Sequence, residues 1–197
     1  MPSIFSQEDR DRIRAQLLDK GRAMMLERGI TKTNIDELAE SVGIAKGTFY
    51  HFFPSKQAFI LEIIRAYQAE KLAQLKQLVA DKRAKLTIAE ALAWYRTLYL
   101  PQEDPLFQVS RKDMDWIRAR IPPEQLFQPE VDIQTGELIL SMIEGVREDI
   151  DLRVLANFPK MAQLAIENKA FLHQEVLDVN LQLIIDCMYR YIKGDER

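Results

Sequence analysis

The sequence predicts an all-α protein: a three-helix module containing a helix-turn-helix, followed by a larger helical domain. Glycine and proline are scarce, seven and eight in 197 residues. Leu, Ala, Ile, Glu, Lys and Gln, which lose little freedom in a helix, are abundant. Apolar residues recur at three- and four-residue intervals along most of the chain, whereas strand-like alternation is rare. With 47% apolar and 29% charged residues, the chain can bury a real core.

Ser6-x-x-Asp9 opens a first helix whose buried side carries Ile13, Leu17, Leu18, Ala23, Met24 and Leu26, and Gly29 ends it. The stretch from Thr33 to Lys56 then reads as two short helices around a tight turn. Thr33 is the expected N-cap, with Asp36 three residues on. Ile35, Leu38, Ala39 and Val42 form one apolar face, and Gly43 supplies the left-handed turn residue. Ala39 keeps the helix crossing close. The second helix runs from Ala45 to about Phe52, with Phe49 and Phe52 inward and Lys46, Gly47, Thr48, Tyr50 and His51 outward. Pro54 ends it, and Ser55 caps the next. A small, basic, hydroxylated face suits a DNA major groove. The same spacing also describes an ordinary αα-hairpin with a solvated face, and spacing does not separate the two.

Those residues carry a resemblance. Thr33-x-Ile35-x-x-Leu38-Ala39, Val42-Gly43-Ile44 and the run from Lys46 to Lys56, with its G-T-F-Y-x-x-F-x-x-K pattern, resemble the DNA-binding module of TetR-type transcriptional regulators over roughly Ser6 to Phe59. The resemblance implies a DNA-binding domain over residues 1–56 and a helical effector-binding and dimerisation domain over residues 57–197. It also implies a cytoplasmic homodimer on double-stranded, palindromic DNA, most simply a repressor released by a small-molecule effector. Carried onto matching positions, Lys46, Gly47 and Thr48 face bases, while Thr33, Thr48, Tyr50, His51 and Lys56 hold phosphates. Ala45 stands where the family commonly has a polar residue, which implies fewer base contacts.

After Ser55, Phe59, Ile60, Ile63, Ile64, Tyr67, Leu72, Leu75 and Leu78 predict a long helix to about Asp81, a stiff link out of the DNA module. Thr87-Ile88-Ala89-Glu90 is a capping box opening a helix to about Tyr99. PQEDP is a break, with Asp104-Pro105 starting a short helix. Met114, Trp116 and Ile117 lie in a helical stretch stopped by Pro122-Pro123, and a further helix is expected from Pro129 to about Arg147. The last two helices are expected from about Asp151 to Asn168, kinked or restarted at Pro159, and from about Gln174 to Ile192.

The final helix is apolar on more than one face, so two covers are expected. A second copy of the chain, docking on Met161, Ala165, Val176, Val179, Leu183, Ile184, Cys187 and Tyr191, supplies the second cover; a central helix in a monomer is the alternative. Trp94, Tyr95, Phe107, Met114, Trp116, Met142 and Phe158 could line an apolar effector cavity, although for any single one of them ordinary core packing is the better reading. The resemblance favours the cavity, and the aromatic bias favours an apolar or flat ligand.

Other classes find less support. One cysteine, Cys187, excludes an internal disulfide and a multi-cysteine zinc site. No phosphate loop, H-E-x-x-H or G-x-S-x-G motif occurs, and His51 and His173 are far apart, so neither an enzyme nor a metal or other cofactor is expected. No apolar run is long enough to span a bilayer, and MPSIFSQEDRDR has no secretory core, so a cytoplasmic protein is expected. The formal net charge of −3 does not itself suggest DNA. Residues 1–56 hold nine Lys and Arg against eight Asp and Glu, so any nucleic-acid site is a local patch. The rivals are an activator or effector-independent regulator and, in another class, a helical ligand-binding or interaction protein with a non-functional helix-turn-helix.

Overall fold

Helix α1, Gln7–Arg28, begins where Ser6 Oγ accepts the Asp9 N–H at 3.1 Å. The computed structural model describes residues 6–99 and 110–194. Ile13, Leu17, Gly21 and Met25 form the buried stripe of α1 at four-residue spacing. Helix α2, Ile35–Ser41, turns at Gly43 into α3, Lys46–Phe52, and α4 follows at once as Lys56–Lys82. Gly43 has φ +75°, a conformation that costs glycine little, and the Ile44 N–H closes onto the Ala39 carbonyl at 3.0 Å.

The remaining described α-helices and strands are β1 (Leu86–Thr87), α5 (Ile88–Tyr99), α6 (Arg111–Arg120), the one-turn α7 (Pro123–Leu126), α8 (Pro129–Ser141), β2 (Ile143–Glu144), α9 (Leu152–Glu167) and α10 (Leu177–Lys193). The all-α class holds, with one addition. β1 and β2 pair in parallel, Leu86 opposite Ile143 and Thr87 opposite Glu144. Two residues are too few to show alternation in sequence.

The chain divides into two compact units: Met1–Ala69 with Lys112–Leu126, and Glu70–Arg111 with Phe127–Arg197. The division falls inside α4, not after residue 56, and most of α6 joins the helix-turn-helix. The first unit is built on Phe49, Phe53 and Phe59, all fully buried, with ring centroids 4.8–5.5 Å apart. Phe53, rather than the expected Phe52, makes the deepest contact at this end of α3. Pro54 restricts the residue before it to extended backbone, which drops Phe53 into the core, while Phe52 stays half-buried under the Arg10 guanidinium.

In the second unit α10 packs on α9 and α5, and α8 packs on α9. Leu75, Leu86, Ile88, Leu92, Ile143, Ile185, Met188 and Ile192 form one core cluster, and Ala162, Leu177 and Leu181 a smaller one. Thr87 and Glu90 make the expected capping box: Thr87 Oγ1 accepts the Glu90 N–H at 3.2 Å, and Glu90 Oε2 accepts the Thr87 N–H at 2.7 Å.

Three expected boundaries differ. α8 ends at Ser141, not near Arg147, because the chain leaves the helix at Met142 to pair β2 with β1. α9 runs through Pro159 without a restart at Asn157 and is capped by Asp151, whose carboxylate accepts the Arg153 N–H at 2.9 Å. α10 begins at Leu177, after a 3-10 turn at Gln174–Val176. The expected helix after Asp104-Pro105 lies outside the described residues. Among the described residues no helix is long and apolar enough to cross a membrane.

Candidate nucleic-acid interface

The outer face of α3 is positioned by what lies beneath it. Phe49 anchors the helix in the aromatic core, and the Phe53 N–H donates to the Phe49 carbonyl at 2.9 Å to close its end. Ala45, Lys46, Gly47, Tyr50 and His51 are then exposed, and Thr48 is half-buried. Tyr50 stands edge-on to Phe49 at 5.3 Å between centroids and remains exposed. Ala45 is the N-cap and offers no side-chain hydrogen bond to α3.

Gly47 stands apart from the other glycines. A Cβ built there would meet nothing within 4 Å, and its φ is not positive. Neither folding geometry nor internal packing asks for glycine at this place, and glycine inside a helix costs about 0.5–1 kcal/mol relative to alanine. A bare backbone on an exposed helix face is what close approach by an external surface requires.

Lys46 Nζ lies 3.0 Å from both carboxylate oxygens of Asp36, in the first turn of α2. The hydrogen bond and charge of Asp36 hold the Lys46 ammonium above its usual range.

Two expected phosphate contacts sit differently from the rest. Thr33 is not the N-cap of α2. That place is taken by Asn34, whose Oδ1 accepts the Asp36 N–H at 2.8 Å. Thr33 is 4% exposed, and its hydroxyl donates to the Gly29 carbonyl at 2.9 Å. Lys56 is half-buried and points inward, with Nζ 2.7 Å from the Thr33 carbonyl and 3.3 Å from that of Thr31. Burial lowers its pKa, opposed by the charge of Asp113 and helped by that of Arg120. Trp116 lies 5.2 Å from this ammonium and 5.0 Å from the Arg120 guanidinium.

Asp113, unforeseen in the sequence, completes this arrangement from α6. It is 4% exposed, and Oδ1 accepts the Thr31 N–H at 2.7 Å. Lys56 and Asp113 therefore grip the Gly29–Thr33 loop by its carbonyls and an amide. An acid between Lys112 and Met114 looks like any solvated charge; the signal available was its place on the inner stripe of α6 with Ile117.

The expected cavity residues do not gather in one unit. Trp94, Tyr95, Met142 and Phe158 pack on the main core cluster of the second unit. Met114 and Trp116 lie on α6 in the first unit, and Phe107 lies outside the described residues. The indole Nε1 of Trp94 and the Nε of Arg96 are buried without a hydrogen-bond partner among the described residues.

Of the expected interface residues, Met161, Val176, Val179, Leu183 and Cys187 are exposed on α9, α10 and the turn before α10. Ala165 and Ile184 instead pack against the Ala162, Leu177 and Leu181 cluster. Tyr191 turns to α9, its hydroxyl accepting the Asp151 N–H at 2.9 Å. Leu164, Phe171 and Leu172 are exposed apolar neighbours that periodicity did not single out. Among the described residues no three His, Cys, Asp or Glu side chains converge as a metal site.

Comparison with known proteins fits this geometry. The model for "Bacterial regulatory proteins, tetR family" matches residues 17–63. The HTH-type transcriptional repressor KstR2 of Rhodococcus jostii is 34% identical over 155 residues, covering 74% of this chain and 73% of its own. Among solved structures, the reduced form of Escherichia coli NemR superposes with a TM-score of 0.61 at 18% identity, over 94% of this chain and all of that one. Thermus thermophilus FadR in complex with lauroyl-CoA gives 0.58 at 19% identity, over 93% of this chain and 97% of that one. These two likenesses speak for the fold. With its helix-turn-helix matched by the family model and one-third identity to a repressor along most of both chains, this chain belongs to the tetR family of bacterial regulatory proteins.

Proposed function

We propose that this regulator acts as a homodimeric repressor that grips a palindromic operator through α3 and is released by a largely apolar small molecule. The observation that carries the DNA reading is Gly47: an exposed glycine in a helix, with no internal use, flanked by Lys46 and Thr48. A helix backbone without a Cβ can approach a base edge or thymine methyl closely, while Thr48, Tyr50 and His51 reach phosphates. The inward Lys56 is read as a brace for the loop before α2, and the exposed Lys32 on that loop is the better phosphate candidate.

The exposed apolar side chains of α9 and α10 support pairing of two copies, which would remove them from water. A C2 dimer would present two α3 helices to half-sites about 34–36 Å apart. The protein would act in the cytoplasm, where its DNA is, and as a binding protein rather than an enzyme.

The effector reading is supported by the apolar composition of the second unit and by FadR's lauroyl-CoA. The unpartnered Trp94 Nε1 adds a detail: the ligand carries an acceptor oxygen for a buried N–H that otherwise loses about 1–3 kcal/mol. α4, shared by both units and free of glycine and proline, is the stiff element through which binding would reach the DNA module.

A panel from acyl-CoA thioesters to simple aromatic carbonyl compounds, titrated with and without bound DNA, tests the switch. At least one compound should bind and lower DNA affinity by about 5–150-fold, and DNA should weaken that compound equally. Binding with no reciprocal effect on DNA would contradict it.

A further inference from the structure

An acid on a surface that meets DNA is repelled by the phosphates, yet Asp36 stands exposed beside the leading residue of α3. Its neighbour Glu37 is turned away, paired with Arg28 of α1 at 2.8 Å. Asp36 instead bridges α2 to α3, with both oxygens 3.0 Å from Lys46 Nζ. We propose that Asp36 is a specificity-determining residue: it withholds the Lys46 ammonium from phosphates and releases it in part to uncharged base edges. This rests on the reading that α3 enters the major groove.

A lysine ammonium is a mobile point charge that, left alone, serves any phosphate and adds sequence-independent affinity. Held by Asp36, it can meet a phosphate only by bringing that anion against a carboxylate, where like charges repel. Guanine O6 and N7 carry no net charge. Because an ammonium has three donors, Lys46 can keep one bond to Asp36 and give the others to guanine. The pair thus discriminates between charged and neutral acceptors, which a free lysine does not. A positively charged reader on a chain with net charge −3 is thereby kept from non-specific capture.

The test is Asp36→Asn, which keeps the shape of the side chain and removes its charge. Affinity for a site that the wild type selects from random DNA, and for an unrelated duplex of equal length, would be measured as salt is varied. Non-specific affinity should rise about three- to tenfold, and its salt slope should steepen by about one per subunit. The selected site should gain less, so the ratio of specific to non-specific affinity falls. In a Lys46→Ala background the effect of Asp36→Asn should shrink severalfold.

An equal gain on both duplexes, or an undiminished effect without Lys46, would overturn the proposal and leave Asp36 as a general surface charge. Failure of the α3 reading looks different: the wild type would select no sequence, or Lys46→Ala would leave selectivity unchanged. Asp36→Ser, which also suits the first turn of a helix, gives the same measurement should the asparagine variant melt early.

Discussion

The Asp113 carboxylate accepts the Thr31 N–H at 2.7 Å across 82 residues of sequence, which makes α6 a structural part of the helix-turn-helix unit. Asp113 is buried and Thr31 half-buried, so loss of the contact leaves an amide without this acceptor and Lys56 without a nearby countercharge. Asp113→Ala should destabilise the fold by about 1–3 kcal/mol and weaken DNA binding through a loosened Gly29–Thr33 loop. Asp113→Asn, which keeps an acceptor, should cost less. Urea unfolding followed by circular dichroism measures both.

Lys56 offers a sharper distinction. A phosphate ligand, when removed, flattens the salt dependence of DNA binding by about one per subunit. A brace, when removed, weakens binding without changing the slope. With Nζ on the Thr31 and Thr33 carbonyls, Lys56→Ala should follow the second pattern and also lower the melting temperature. Binding isotherms at several salt concentrations would show which applies.

The capping box gives an acid-stability prediction. The Lys82 ammonium, 2.6 Å away, and then the Thr87 N–H and hydroxyl hold the Glu90 carboxyl at about 2 instead of its ordinary 4.5. A depressed carboxylate contributes stability that is fully present above 4.5 and lost as pH falls toward about 2. Glu90→Gln should therefore lower the urea midpoint near neutral pH and converge with the wild type in acid. A deficit that stays constant with pH would contradict this assignment.

The proposed pairing of copies rests on α10. Leu183 is 56% exposed and Val179 58%, too much apolar surface for a helix end facing water. Leu183→Asp should shift micromolar protein from the proposed dimer to monomer in sedimentation while preserving helix content, since the side chain is mostly exposed. Ile184→Asp, at a packed position, should unfold the second unit instead.

The helix-turn-helix is legible in sequence because its rules are local. Gly43 marks the turn, Ala39 the close crossing and Phe49 the buried side, and each acts within a few residues. The same locality explains the error at Thr33. Thr33 and Asn34 are both good caps in sequence, and the choice falls to Asn34 because Thr33 is buried and bonded to Gly29. Lys56 reads as a free cation until the carbonyls of a loop more than twenty residues earlier are folded onto it. Asp113 and the β1–β2 pairing are invisible for the same reason, since both depend on partners far along the chain. Periodicity marks the apolar faces of α10 but not which of them the rest of the unit covers: Ile184 packs on the Ala162, Leu177 and Leu181 cluster and Tyr191 meets Asp151, while Val179 and Leu183 are exposed.

Gly47→Ala tests the central claim, that the outer face of α3 meets DNA, most directly because it drives stability and function in opposite directions. The added Cβ meets nothing in the protein and suits the helix, so the fold should gain up to about 1 kcal/mol. On DNA the same methyl group would stand between the helix backbone and the groove. The account predicts a raised melting temperature together with at least about tenfold weaker binding to the site selected by the wild type. A variant that melts higher and binds that site as tightly as the wild type would contradict it.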